Sequence, residues 1–302
     1  MSNQVKGIIY TLITVLMWGV LAIALKIASK EIDSPTIVWF RFSLAFSGMF
    51  IWMVIKNPKE LKILYKPSWL IVISSLALAW NYIGFMLGVQ YTTPSNAQVA
   101  IQSGPVLLAV LGVIFFREKI TWIQAIGFLM AILGFWIFYQ QHISTAAGQE
   151  EQYTKGMLIT FSGAVAWGIY AALQKKLVLH YPVGTLNVFI FGLPVLLYLP
   201  FADFASLTHL GFGYWALLIF LGANTLISYG CLSLALKYLE AGKVSIMLVL
   251  NPIITFILMG CLTWFQVDWI AGEQFSVLSI VGALVALAGA ILVVRKKAIK
   301  GN

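Results

Sequence analysis

Apolar runs of about 20 residues recur along almost the whole chain, and no other feature constrains the fold as strongly. A helix of that length crosses a hydrocarbon core of ~30 Å, where every backbone polar group must be paired within the protein. Dividing the chain at charges, Pro/Gly and polar clusters predicts ten such helices. They fall at roughly 7–25, 35–55, 69–89, 94–115, 121–139, 156–174, 183–202, 213–236, 241–263 and 275–294. Transmembrane strands would be about 9–11 residues long with dyad alternation, whereas these runs are longer and continuous. Only 10% of the 302 residues are charged, against about 25% in an ordinary soluble domain. That is too few to cover a water-facing surface, so a soluble enzyme is excluded. Lys6 ahead of the first run resembles the start of a signal peptide, but the run exceeds the usual ~7–15 residues, and it reads as a retained helix.

A net charge of +9 would point to nucleic acid in a soluble chain. Here the basic residues sort by loop instead. With the N-terminus in the cytoplasm, 15 of the 19 Lys and Arg face inward, Lys26, Lys30 and Lys155 face outward, and Arg41 lies within the second span. This positive-inside asymmetry predicts that both termini are cytoplasmic and that nucleic acid is no partner. Cys231 and Cys261 lie in apolar runs, with neither a disulfide framework nor a metal-ligand spacing. No metal or cofactor is expected.

The polar stretch Gln140–Lys155 is the longest predicted non-helical segment and divides the chain into repeats of five spans, residues 1–145 and 146–302. Gly7, Trp18, Gly19 and Lys26 match Gly156, Trp167, Gly168 and Lys175 at an offset of 149. Tyr82, Tyr91 and Pro105 match Tyr229, Tyr238 and Pro252 at 147, and Glu118, Gly127 and Gly134 match Glu273, Gly282 and Gly289 at 155. Five spans per half is an odd number, so the halves must be inverted, with Glu118 inside and Glu273 outside. Inverted repeats are the architecture of carriers that rock about a midplane site.

Polar side chains inside the membrane turn toward other helices or a cavity. Ser95, Gln98 and Gln102 share one face of the fourth span, and Pro105, which lacks a backbone donor, extends it. Trp18 and Trp167 lie mid-span, away from the interfacial belt where tryptophan serves as an anchor, and Tyr170 shares a helical face with Trp167. Trp80, Asn81 and Tyr82 form a cluster in the third span, answered by Ser228 and Tyr229 in the eighth; Asn187, Asn224 and Asn251 are further intramembrane amides. Arg41 is the one strong charge well inside a span. It is a candidate for binding or gating, with snorkelling as the alternative, and Lys26 reads as an anchor. Gly84 and Gly88 form a GxxxG packing motif. The candidate substrate-binding set is therefore Trp18, Arg41, Trp80, Asn81, Tyr82, Gln98, Gln102, Trp167, Tyr170, Asn187, Asn224, Tyr229 and Asn251.

Three groups of residues carry a family resemblance. They are Trp18–Gly19 with Lys26, Pro35 and Phe40–Arg41–Phe42; Tyr91–Thr92–Thr93–Pro94–Ser95–Asn96–Ala97 through Gln102 and Pro105 to Phe115–Phe116–Arg117–Glu118; and Tyr238–Leu239–Glu240–Ala241–Gly242 with Pro252. With them the chain resembles the ten-helix EamA-type members of the drug/metabolite transporter superfamily. The resemblance implies alternating-access movement of small polar or amphipathic metabolites across a bacterial inner membrane. Unlike the four-helix cation exporters of that superfamily, the first span has no carboxylate.

Glu118, Glu240 and Glu273 fall at helix ends and all three histidines in loops, so no proton carrier is evident, and uniport or solute exchange is expected. Hydrolase, zinc and phosphate-binding motifs are lacking, so an enzyme is not expected. The expectation is an all-α integral membrane protein of ten helices, acting on small molecules in contact with lipid, as a monomer or homodimer. A channel, a lipid scramblase or a drug efflux carrier stand as alternatives.

Overall fold

The computed structural model describes residues 2–104, 106, 107, 121–143, 148, 150–239, 241–273 and 275–294, which are helical with turns and contain no strand. In chain order the helices are α1 (Asn3–Ala28), α2 (Ser34–Lys56), α3 (Trp69–Tyr91), α4 (Pro94–Ile101), α5 (Trp122–Ile143) and α6 (Glu150–Leu177), then α7 (Val183–Tyr198), α8 (Phe204–Thr208), α9 (Phe212–Tyr238), α10 (Ala241–Leu248), α11 (Asn251–Trp264) and α12 (Val277–Val294). Pro105, Glu118 and Glu240 lie outside the described residues, as does the domain boundary at 145/146.

Six of these stretches are long and apolar enough to cross a membrane: α1, α2, α3, α6, α9, and α7 continued by a 3-10 turn to Phe201. Shorter apolar stretches lie within α5, α11 and α12. Their outer faces expose large side chains such as Leu16, Ile55, Leu129, Leu158 and Leu196, an apolar area that water would penalise and lipid accepts. The chain is a multi-pass membrane protein.

Helix starts are set by local chemistry. Asp33 Oδ2 accepts from Thr36 N at 3.0 Å ahead of α2, and Thr93 Oγ1 accepts from Asn96 N at 3.3 Å ahead of α4; each cap is followed by a proline within the first two helical positions. Both satisfy backbone donors that the first turn leaves open. Two sequence expectations are revised. The polar segment after α5 is shorter than predicted, because α6 begins at Glu150; Glu150 and Glu151 lie in its first turn, where carboxylates favour the helix N-terminus. The predicted ninth span is two helices, broken at Val249–Leu250, because Pro252 has no N–H to give the Leu248 carbonyl. A matching turn ends α4 at Gln102, 147 residues earlier.

Helix pairing is preserved when the halves are exchanged. α1 packs on α9 as α3 packs on α6, α1 on α10 as α4 on α6, and α2 on α9 as α3 on α7; the pairs α2·α7 and α5·α12 map onto themselves. Matched residues keep matched environments. Lys26 Nζ donates to the Val89, Gln90 and Thr92 carbonyls at 3.0, 3.0 and 2.7 Å, capping the end of α3. Lys175 Nζ donates to the Leu236 and Leu239 carbonyls at 2.6 and 2.7 Å, capping the end of α9. Each lysine therefore neutralises the carbonyl end of a partner helix, a tertiary role that an anchoring reading of Lys26 does not contain. Gly84 and Gly88 bring α3 against α6: a Cβ on Gly84 would lie 3.2 Å from Gly163 Cα, and one on Gly88 would strike Thr160 Oγ1.

Candidate functional site

Four helices of the first half and four of the second converge on one central cavity. Its walls are Trp18 and Leu21 of α1, Arg41 of α2, Asn81, Tyr82 and Phe85 of α3, Gln98 and Ile101 of α4 with Gln102 at its end, Trp167 of α6, Tyr229 of α9, Leu248 of α10 and Asn251 of α11. The cavity volume is about 60 Å³, well below the ~300–1,000 Å³ that small-molecule sites occupy, so its walls must part to admit a solute.

Two pairs of repeat-equivalent residues meet inside it. Trp18 and Trp167 pack edge-on with ring centroids 6.3 Å apart, and Tyr82 and Tyr229 lie 5.4 Å apart. Each pair is matched in sequence at one offset, 149 residues for the tryptophans and 147 for the tyrosines. Trp18 also packs on Tyr229 at 5.1 Å, which completes an aromatic wall.

The polar groups fall into those already engaged and those left open. Trp18 Nε1 donates to Ser228 Oγ at 2.9 Å, Gln98 Nε2 to the Trp18 carbonyl at 2.8 Å, and Asn81 Nδ2 to the Gly163 carbonyl at 3.0 Å. Tyr229 O–H donates to Asn81 Oδ1 at 3.4 Å. Trp167 Nε1, Gln102 Oε1 and Asn251 Oδ1 are buried without a partner, and a buried polar atom left unpaired is costly. A solute offering donors and acceptors here would satisfy them.

Among the described residues Arg41 is the single charged one in the lining, and it is 2% exposed. Its Nε donates to Thr225 Oγ1 at 3.2 Å, and its guanidinium carbon lies 4.3 Å from the Tyr82 ring centroid. A guanidinium is the side chain that suits a carboxylate, through its planar set of donors. A side chain snorkelling to the interface would not be buried among α3 and α9.

Nine of the sequence candidates thus surround one space, and four lie elsewhere. Trp80 is 52% exposed on the outer side of α3, where its Nε1 donates to Ser162 Oγ at 3.1 Å. Tyr170 is buried behind Tyr229, with ring centroids 5.7 Å apart. Asn187 Oδ1 accepts from Gln174 Nε2 and from Ser233 Oγ, both at 3.2 Å, and joins three helices. Asn224 Nδ2 donates to the Met17 carbonyl at 2.6 Å, tying α9 to α1. The sequence reading omitted Leu21, Phe85, Ile101 and Leu248, whose apolar character matches any core position. It also omitted Thr225, whose one signal is a hydroxyl buried mid-helix.

A family model described as the EamA-like transporter family matches residues 5–140 and 154–295. The chain belongs to that family. The match falls once on each half and covers most of the chain, so the protein is a membrane transporter. The Escherichia coli K12 protein named uncharacterized inner membrane transporter YhbE is 31% identical over 288 residues, covering 94% of this chain and 90% of that one. An uncharacterized transporter of Haemophilus influenzae is 29% identical over 292 residues, covering 96% and 95%. A solved crystal structure of another protein has the same fold, with a TM-score of 0.67, 15% identity and 95% of both chains covered.

Proposed function

We propose that this EamA-family transporter moves small metabolites, amino acids or similar polar and aromatic solutes, across a bacterial inner membrane by alternating access, as an exporter or exchanger. The proposal includes ten spans in two inverted five-helix repeats, residues 1–145 and 146–302, with both termini cytoplasmic, working as a monomer or a homodimer in the lipid. The observation that carries it is the meeting of Trp18 with Trp167 and of Tyr82 with Tyr229 in one cavity. A binding site placed on the pseudo-symmetry axis presents similar walls to both sides, which is what a rocking carrier requires. The breaks at Gln102 and at Val249–Leu250, matched in the two halves, support it by offering hinge positions beside the site.

Binding is tested by thermal stabilisation of the purified full chain in nanodiscs. A ligand at one hundred times its Kd stabilises by ~2.7 kcal/mol. Pooled amino acids are expected to raise the wild-type Tm. Gln102→Ala and Trp167→Ala are expected to lose most of that rise while keeping their own melting transitions. An equal rise in wild type and both variants would refute the site.

A further inference from the structure

Glu273 sits at the end of the cavity helix α4 and has an unusual environment for a carboxylate. It is 7% exposed. Its Oε1 accepts one bond, from Ser95 N in the first turn of α4, at 3.2 Å, while Oε2 is buried without a partner. Its own backbone N–H donates to Thr263 Oγ1 of α11 at 3.0 Å. The charge that faces it is Lys26 of α1, whose Nζ already donates to three carbonyls at the end of α3. It also meets the hydroxyls of Ser95 in α4 and of Thr93, the residue that caps that helix; Ser95 Oγ is itself buried without a partner.

An ionised carboxylate with one oxygen unpaired and its neighbouring cation committed elsewhere is poorly matched to so dry a place. A neutral carboxyl matches it: the acid O–H has an unpartnered serine oxygen beside it, and the other oxygen keeps the Ser95 N–H. Glu273 also borders a surface depression with Thr263, Trp264 and Gln266, where Trp264 is exposed, so protons need cross little protein to reach it.

We propose that Glu273 is a proton-binding latch, carrying a proton while packed on α4 and losing it to water as α4 parts from it. Because α4 bears Gln98 and leads to Gln102, the latch joins a protonation event to the wall of the cavity. Burial pushes the Glu273 carboxyl above the ordinary carboxylate range, with Ser95, Thr93 and Lys26 pulling the other way. An acid that holds its proton more tightly when buried than in water favours the packed state at low pH and the parted state at high pH. The link to a transport cycle rests on the carrier reading above and makes that carrier proton-coupled. The latch itself is independent of any solute.

The test is hydrogen exchange on the full chain in nanodiscs between pH 5 and pH 9, corrected for the intrinsic rate, following the peptide that spans α4. Protection in wild type is expected to fall as pH rises, by up to about tenfold per pH unit between the buried and exposed carboxyl values. Glu273→Gln, a neutral isostere, should hold its acid-side protection throughout. Lys26→Met removes the facing cation and should move the wild-type midpoint to higher pH. Protection in wild type that ignores pH would overturn the latch, as would Glu273→Gln following the wild-type curve or an unshifted midpoint in Lys26→Met. No solute enters this experiment, so its failure leaves the carrier reading intact, and a chain that transports nothing leaves the latch intact.

Discussion

Replacing Arg41 by glutamine is expected to weaken the binding of carboxylate-bearing solutes by about tenfold to a hundredfold, and that of neutral nucleobases far less. Arg41 is the one charged residue lining the cavity among the described residues. A hydrogen bond to a charged group contributes about 1.5–3 kcal/mol, which sets the size of the loss. Arg41→Lys should rescue only part of it, because an ammonium neither stacks as a plane on Tyr82 nor offers a two-pronged fork. Competition by amino acids and by nucleobases in the same vesicles separates the two classes. An equal loss for both would show that Arg41 supports the bundle through Thr225 and Tyr82 instead of meeting the solute.

The largest effect on stability is expected at the α5–α12 contact. A Cβ on Gly134 would strike the Ala286 backbone N and lie 2.6 Å from the Gly282 carbonyl oxygen. On the other side, a Cβ on Gly289 would strike the Ala131 backbone N and lie 2.6 Å from the Gly127 carbonyl oxygen. These obstacles are backbone atoms that cannot rotate away, so the helices must separate and lose the close approach that small residues provide in lipid. Overpacking of this kind costs about 1–3 kcal/mol. Gly134→Ala and Gly289→Ala should each lower the melting temperature clearly. Gly230→Ala is the control: nothing lies within 4 Å of its Cβ position, and a mid-helix Gly→Ala change is worth up to ~1 kcal/mol in favour of the helix. Opposite signs at 134 and 230 would show that contact, not helix propensity, decides the outcome.

Six of the ten expected spans are helices long and apolar enough to cross a membrane, and they were legible because burial in lipid imposes length and apolarity. The polar face of α4 was legible too, since Gln98 and Gln102 were expected to share a face and both line the cavity. Mid-span Trp18 and Trp167 were recognised by depth and by their common offset. Trp80 shows the limit of reading a cluster by adjacency: neighbours on a helix point about 100° apart, so Trp80 faces outward while Asn81 and Tyr82 face in. Asn187 and Asn224 show another. An intramembrane amide serves a cavity or a neighbouring helix equally well, and the partners here, Gln174, Ser233 and the Met17 carbonyl, come from other helices. Glu273 read only as a helix-end acid matched to Glu118, because what defines it is a contact with Ser95, 178 residues away in sequence. Lys26 likewise reads as a helix-end cation until the α3 carbonyls are brought to it.

The measurement that bears most directly on a carrier with one central, alternately exposed site is counterflow in proteoliposomes. Vesicles are preloaded in turn with pooled amino acids, nucleobases or quaternary ammonium compounds, and a trace of labelled solute is added outside. The account predicts saturable uptake that transiently exceeds equilibrium with one pool, and its loss in Trp167→Ala. Uptake that rises only to equilibrium, in proportion to concentration and regardless of the preload, would contradict it and mark the protein as a channel.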